Sequence, residues 1–224
     1  MSVAEGLASV RDRIDRAARA ASRDPADVRL VAVSKTKPAD AVREAYAAGQ
    51  RDFGENYAQE LVQKAEELAD LVELRWHFIG HLQSNKARFI ARVAHVVHTI
   101  DAPALARELG KRVMKEGRER LPVLIEVNVG GEAQKHGCSP ADLRDVLVAV
   151  DAEPGLSLRG LMTIPPADRE GARRAFEALG SLRSLHGGRT RLPELSMGMS
   201  DDLEVAVACG STMVRVGTAI FGGR

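Results

Sequence analysis

The spacing of apolar residues in this chain switches period repeatedly. From Val3 to Ala20 it is helical: Val3, Leu7, Val10, Ile14, Ala17 and Ala18 fall on one stripe. Leu30-Val31-Ala32-Val33 then forms a continuous apolar run, and the spacing predicts a buried strand over 28–34. Pro38 stands where a helix can start, and Ala39 to Ala48 reads helical up to Gly49. The same alternation runs on. Further strands are predicted over 51–55, 75–80, 96–100, 122–129, 157–162, 194–197 and 213–216. Helices are predicted between them, over 58–71, 85–93, 102–115, 140–150, 169–185 and 202–208.

Eight strands, each followed by a helix or a short tail, imply a parallel sheet. An α/β open doubly wound sheet and a closed (β/α)8 TIM barrel both answer to that order. The barrel is preferred: every segment between strands carries a helix, and no GxGxxG turn follows the first strand. No Pro/Gly/Ser-rich linker divides the chain, so residues 1–224 are expected to form a single domain. Barrel sites gather at the C-terminal ends of strands. Here those ends are Ser34-Lys35-Thr36, Gly54-Glu55-Asn56, Gly80 to Ser84, Asn128, Met162-Thr163, Ser196 to Ser200 and Arg215 to Thr218.

Lys35 follows a core strand directly, so its stem runs along apolar layers. Burial disfavours the ammonium form, and a neutral amine attacks carbonyls. Lys37, two residues further on, competes for the role. At the last two strand ends, Gly198 and Gly217 let backbone amides approach an anion, and Ser200 and Thr218 offer hydroxyls. Ser200 also suits the N-cap of the helix near Asp202, whereas Asp201 and Asp202 oppose a phosphate unless their carboxylates turn away. Arg215 lies between Val214 and Val216, so it points to the opposite face from both, toward a carboxylate or a ligand. His77 and His81 have helical metal spacing but lie on a strand and the turn after it, and His95 and His98 face opposite ways; no metal site is expected. Lys135-His136-Gly137 reads as a solvated polar loop. Lysine, anion cradle and arginine together suit a phosphorylated aldehyde, and pyridoxal 5′-phosphate fits that description.

Bulk properties narrow the class. Lys+Arg 32 against Asp+Glu 31 leaves a net charge of +1, so no basic excess points to nucleic acid or a membrane surface. Aromatic content of 4% argues against base-stacking platforms. Two cysteines, Cys138 and Cys209, and an N-terminus without an apolar core segment indicate a cytoplasmic protein.

Six stretches carry a resemblance: "VAVSKTKP", "FGENYAQE", "WHFIGHLQSNK", "EVNVGGEAQKHG", "GLMTIPP" and "LSMGMSDDLEVAVACGSTMVRVGTAIFG". Together they resemble the pyridoxal-phosphate homeostasis protein family (YggS/PROSC-like proteins) over essentially the whole chain. The resemblance implies a fold-type III, alanine-racemase-like barrel carrying pyridoxal phosphate on Lys35 as a Schiff base. It further implies that Ser200, Gly217 and Thr218 hold the phosphate, that Arg215 faces the pyridine nitrogen, and that Asn56 and His81 line the pocket. The loop "GGEAQKHG" departs from the serine-containing loop of relatives.

The resemblance implies a carrier that buffers the cofactor and hands it to apo-enzymes, with no catalytic turnover. Racemases of this barrel type have a second, β-rich domain that supplies another acid or base and mediates dimers. Its absence from 224 residues leads us to expect a monomer and no racemisation. The alternatives are a small amino-acid racemase or decarboxylase using Tyr57 or His81, and an aldolase using Lys35 on a sugar phosphate.

Overall fold

Each of the eight predicted strands is present, and each runs parallel to its neighbours. The structure, a computed structural model, describes residues 2–223. A leading helix α1 (Val3–Ala20) precedes β1 (Arg29–Val33) and α2 (Ala39–Ala47). Then follow β2 (Asp52–Glu55), α3 (Ala58–Glu67), β3 (Arg75–Phe78), α4 (Ala87–Val93), β4 (Val96–Ile100) and α5 (Pro103–Lys115). The second half comprises β5 (Leu121–Glu126), α6 (Leu143–Ala152), β6 (Leu156–Met162), α7 (Arg169–Leu185), α8 (Gly188–Arg191), β7 (Glu194–Ser196), α9 (Leu203–Ala208), β8 (Met213–Val216) and α10 (Thr218–Phe221). The sheet closes in the order β1 to β8, with β8 pairing back onto β1.

Closure sorts the strand residues by parity. Leu30, Ala32, Phe53, Trp76, Phe78, Val97, Leu195, Val214 and Val216 join the large apolar layer between strands and helices. The opposite parity supplies a separate, small cluster of Val31, Val96, Leu124, Met162 and Met213. Barrel interiors are usually filled by branched apolar side chains. Here Asp52, His77, His98, Glu126, Ser196 and Arg215 are buried as well.

Helix α1 starts with a capping box, Ser2 with Glu5, and buries the Leu7, Val10 and Ile14 side of its stripe. Each such side chain contributes about 1.5–3 kcal/mol. Gly6 lets it lie tight on α10, since a Cβ there would sit 2.7 Å from the Ile220 carbonyl oxygen.

Element ends differ from expectation where side chains capture the backbone. The fifth strand stops at Glu126, not Val129, because Asn128 Nδ2 donates to the Glu132 and Lys135 carbonyls and folds the chain into a loop. The sixth helix starts at Leu143, not Pro140, because Ser139 and Asp142 close a turn first. The short helices α8 and α10 were not anticipated; four residues are too few for a hydrophobic period to show.

Candidate functional site

The ends of β1 and β8 lie side by side, because Val31 pairs opposite Arg215 and Ala32 opposite Val216. Lys35 shares the parity of Val31 and Val33 and stands half-buried just past the strand. Thr36 beside it adopts a left-handed φ of 63°, a conformation that costs about 1–2 kcal/mol. A buried ionic cluster holds this turn. Lys64 donates to the Ser34 carbonyl (2.6 Å), Glu55 Oε1 (2.6 Å) and Glu60 Oε1 (2.8 Å). Ser34 Oγ donates to Glu55 Oε1 (2.7 Å), and the Thr36 amide donates to Glu60 Oε1 (2.6 Å). Lys37 is engaged elsewhere: its Nζ donates to the Gly223 carbonyl at 2.8 Å.

Across the β1–β8 seam, Gly217 packs on Val33. A Cβ at Gly217 would lie 3.0 Å from the Val33 carbonyl oxygen and 3.3 Å from Val33 Cβ. The hydroxyls of Ser200 and Thr218 face each other at 3.0 Å. Gly198 has φ 99°, and a Cβ there would meet that of Ala206 at 2.5 Å, so this turn requires glycine. One expectation is corrected here. Ser200 does not cap α9; Asp202 occupies the N-cap position. The Asp202 carboxylate accepts the Met199 amide at 2.5 Å, a four-residue turn that forms locally and leaves Ser200 Oγ to Thr218. That bond also spends the Asp202 charge on the backbone, and Asp201 is exposed.

Arg215, 5% exposed, forms the floor. It donates through Nη1 to Ser196 Oγ (2.7 Å) and through Nη2 to the Thr163 carbonyl (3.0 Å). Burial pulls its pKa down to about 10 against the charges of Glu126 and Asp202, so it stays a cation at neutral pH. From Ser196 a hydrogen-bonded line crosses the barrel: Ser196 Oγ to His98 Nδ1, His98 Nε2 to His77 Nδ1, and His77 Nε2 to Asp52 Oδ1, each at 2.9 Å. Arg75 meets the other Asp52 oxygen at 2.8 Å on the opposite face. Arginine can only donate and a carboxylate can only accept. With neutral imidazoles, one direction satisfies every atom, from Arg215 down to Asp52. Burial holds His98 well below the usual histidine range, with His77 and Arg215 adding to the fall. Burial raises the Asp52 carboxyl, but the hydrogen bonds from His77 and Arg75 and the Arg75 charge outweigh it and hold the group low.

The remaining wall comes from β2 to β5. Glu126 is 3% exposed, and its Oε2 has no partner among the described residues. Burial pushes its carboxyl up to about 7, opposed by Arg215 and helped by Asp101. Asn56 Oδ1 is likewise buried without a partner. Gly80 lets β2 and β3 meet at this level: a Cβ there would overlap the Asn56 carbonyl oxygen at 2.0 Å. His81 lies 3.6 Å from Asp101 Oδ2 and stacks on His136, ring centroids 3.8 Å apart and planes within 8°. The loop 135–137 stays at the surface, as expected, but its side chains are engaged: exposed His136 stacks on His81, and Lys135 binds Glu132 and the Pro165 carbonyl. Imidazole lone pairs lie in the ring planes, so parallel stacked rings do not aim at one ion.

Comparison with known proteins now decides the family. The alanine racemase N-terminal domain family matches residues 6–224. The pyridoxal phosphate homeostasis protein of Pseudomonas aeruginosa is 53% identical over 225 residues, covering 100% of this chain and 96% of its own. Its Escherichia coli counterpart is 48% identical over 227 residues, covering 99% and 97%. The chain belongs to the pyridoxal phosphate homeostasis protein family. Among solved structures, PipY of Synechococcus elongatus with PLP bound superimposes with a TM-score of 0.85 at 41% identity, covering 99% of this chain and 100% of that one. Alanine racemase from Corynebacterium glutamicum, at 21% identity and a TM-score of 0.68, shares the fold over 97% of this chain and 62% of its own.

For this family member, the structure gathers Lys35, Ser200, Arg215, Gly217 and Thr218 at the β1–β8 end of the mouth, with Asn56 and His81 on the β2–β3 side. Sequence reading assigned no role to Asp52, Glu126 or the Lys64 cluster; it placed Ser196 at a strand end and weighed His98 only as a metal ligand. Strand parity was the available signal: Asp52, His77, His98, Glu126 and Ser196 are polar at inward positions of buried strands.

Proposed function

We propose that this protein binds pyridoxal 5′-phosphate through Lys35 and holds it for release to apo-enzymes, with no substrate turnover of its own. One observation carries the reading: barrel closure sets the end of β1, with Lys35, against Gly217 and the Ser200–Thr218 hydroxyl pair. The pocket chemistry fits that cofactor. A glycine cradle and paired hydroxyls suit a phosphate, a buried guanidinium suits a ring nitrogen, and Asn56 Oδ1 and Glu126 Oε2 are buried polar atoms without partners among the described residues. When bound, the cofactor supplies an electrophilic carbonyl that amines capture. The work of the chain is to hold it. Lys35 provides the amine; Ser200, Gly217 and Thr218 hold the phosphate; Asn56 and His81 line the wall. Arg215 is kept in place by Ser196 and Thr163, and a cation at the ring nitrogen disfavours protonating that atom. This weakens the electron sink that racemisation or decarboxylation uses, and it supports holding over turnover.

The chain acts as one cofactor-binding barrel domain. Free Cys138 and Cys209 support a reducing, cytoplasmic setting. Among the described residues, no helix is long and apolar enough to cross a membrane. The large apolar side chains exposed among the described residues, Tyr57, Val72, Met114, Val148, Ile164 and Leu185, come from six different segments, which supports a monomer.

The test is covalent mapping. Protein loaded with pyridoxal phosphate, reduced with borohydride and digested, is expected to carry the added mass on the peptide containing Lys35. Lys35→Ala is expected to abolish the visible absorbance of the loaded protein. A tag on Lys37 or Lys135 instead overturns the site. Inversion or decarboxylation of D- or L-amino acids by the loaded protein, lost in Lys35→Ala, overturns the holding role.

A further inference from the structure

At the opposite end of the barrel, where β1, β7 and β8 begin, a hollow of about 340 Å³ is lined by Arg23, Asp27, Arg29, Arg189, Glu194 and Thr212. Its charges do not balance. Glu194 is shared by Arg29 (3.9 Å) and Arg159 (3.4 Å). Among the described residues, no carboxylate lies within 4.0 Å of Arg23, Arg189 or the neighbouring Arg183.

Donors are in excess too. Arg23 Nη1 donates to the Val207 carbonyl at 2.8 Å, at the C-terminal end of α9. Arg23 Nε and Nη2, and Arg183 Nη1, are buried and have no acceptor among the described residues. A buried N–H without a partner costs about 1–3 kcal/mol, more when charged. The three cations also repel one another: burial lowers Arg23 and Arg183, and Arg189 lowers both further, while the charge of Asp27 in the same hollow opposes the fall at Arg23 without reversing it.

The backbone is bent to bring them together. Ser22, left-handed at φ 55°, turns Arg23 off the end of α1. Gly187 and Gly188, at φ 107° and 62°, turn the chain between Arg183 and Arg189. Arg183 Nη2 rests 3.8 Å from where a Cβ on Gly210 would stand. Converging guanidinium groups with spare forked donors are the side-chain chemistry that recognises phosphate.

We propose that Arg23, Arg183 and Arg189 form a binding site for a phosphate group, separate from the mouth that holds Lys35 and on the other face of the barrel. A free inorganic phosphate and the phosphate of a small phosphomonoester share this chemistry. The site gives the protein a second anionic ligand, independent of its proposed cofactor.

The experiment uses the full chain loaded with pyridoxal phosphate, so that the rim hydroxyls are occupied. Inorganic phosphate, glycerol phosphate and chloride are titrated by calorimetry. One further site is expected for phosphate and not for chloride, weakened at least tenfold by Arg189→Gln and by Arg183→Gln. Arg189 is exposed and makes no side-chain hydrogen bond among the described residues, so its variant tests binding without endangering the fold. Tighter binding of glycerol phosphate than of inorganic phosphate assigns a phosphomonoester; the reverse assigns the free ion. Thermal unfolding gives the second readout. Phosphate is expected to raise the midpoint of the wild type and not of Arg23→Gln/Arg183→Gln. Equal phosphate binding by wild type and all variants overturns the proposal. So does a midpoint lowered by Arg23→Gln equally with and without phosphate, which marks the arginine as a cap on α9 only. Because Lys35→Ala is expected to leave this site intact, failure here is distinguishable from failure of the cofactor assignment.

Discussion

Glu126 shows how one side chain couples the mouth to pH. Its carboxyl is raised from 4.5 to about 7, chiefly by burial. Between those values the folded chain keeps a proton that the unfolded chain has lost. Stability therefore falls as pH rises through the window, by up to about 1.4 kcal/mol per unit. Glu126→Gln is expected to remove that slope and to be the more stable form at about pH 8. Urea midpoints of both proteins at about pH 5 and about pH 8 check this; parallel slopes would assign the proton elsewhere. Glu126 was missed in the sequence because one acid inside an otherwise apolar strand, 122–129, does not stand out unless strand parity is followed. What distinguishes it is the absence of a partner, and that is a three-dimensional property.

At the scale of elements, the β1–α2 turn is the costly one. It holds Thr36 left-handed and sets Lys35 half-buried, and it depends on α3 for Lys64 and Glu60. Lys64 is 5% exposed, and Glu55, its partner at 2.6 Å, is fully buried. Lys64→Met strands a buried carboxylate, and a loss of about 3–5 kcal/mol is expected in chemical denaturation. Adding Glu55→Gln should restore part of that loss, since no uncompensated charge then remains. A single variant as stable as the wild type would show the cluster to be solvated. The strand itself was legible from Leu30 to Val33. The support from α3 was not, because Lys64 reads as a surface residue on an amphipathic stripe.

Across the whole molecule, the line from Arg215 to Asp52 joins five strands and both barrel faces. His98 lies at its centre, fully buried. His98→Leu leaves the Ser196 hydroxyl and His77 Nδ1 unmatched, at about 1–3 kcal/mol each. Denaturation of His98→Leu, Asp52→Asn and the double variant should show coupling beyond about 0.5 kcal/mol. Additive losses would break the line into unrelated pairs. Polarisation along such a line strengthens each bond, so the same variants are expected to shift the absorbance of bound pyridoxal phosphate by loosening Arg215.

Much of this molecule was determined locally. The switching period of apolar residues specified eight strands and their helices, and strand parity turned Arg215 away from Val214 and Val216. A parallel barrel suits such reading because each βα unit repeats one short-range pattern. Which inward residues meet was decided only by closure. His77, His98 and Ser196 come from three strands, His136 reaches His81 from a loop, and Ser200 finds Thr218 instead of capping α9. Periodicity states the face a side chain takes, whereas its partner depends on register summed around the ring.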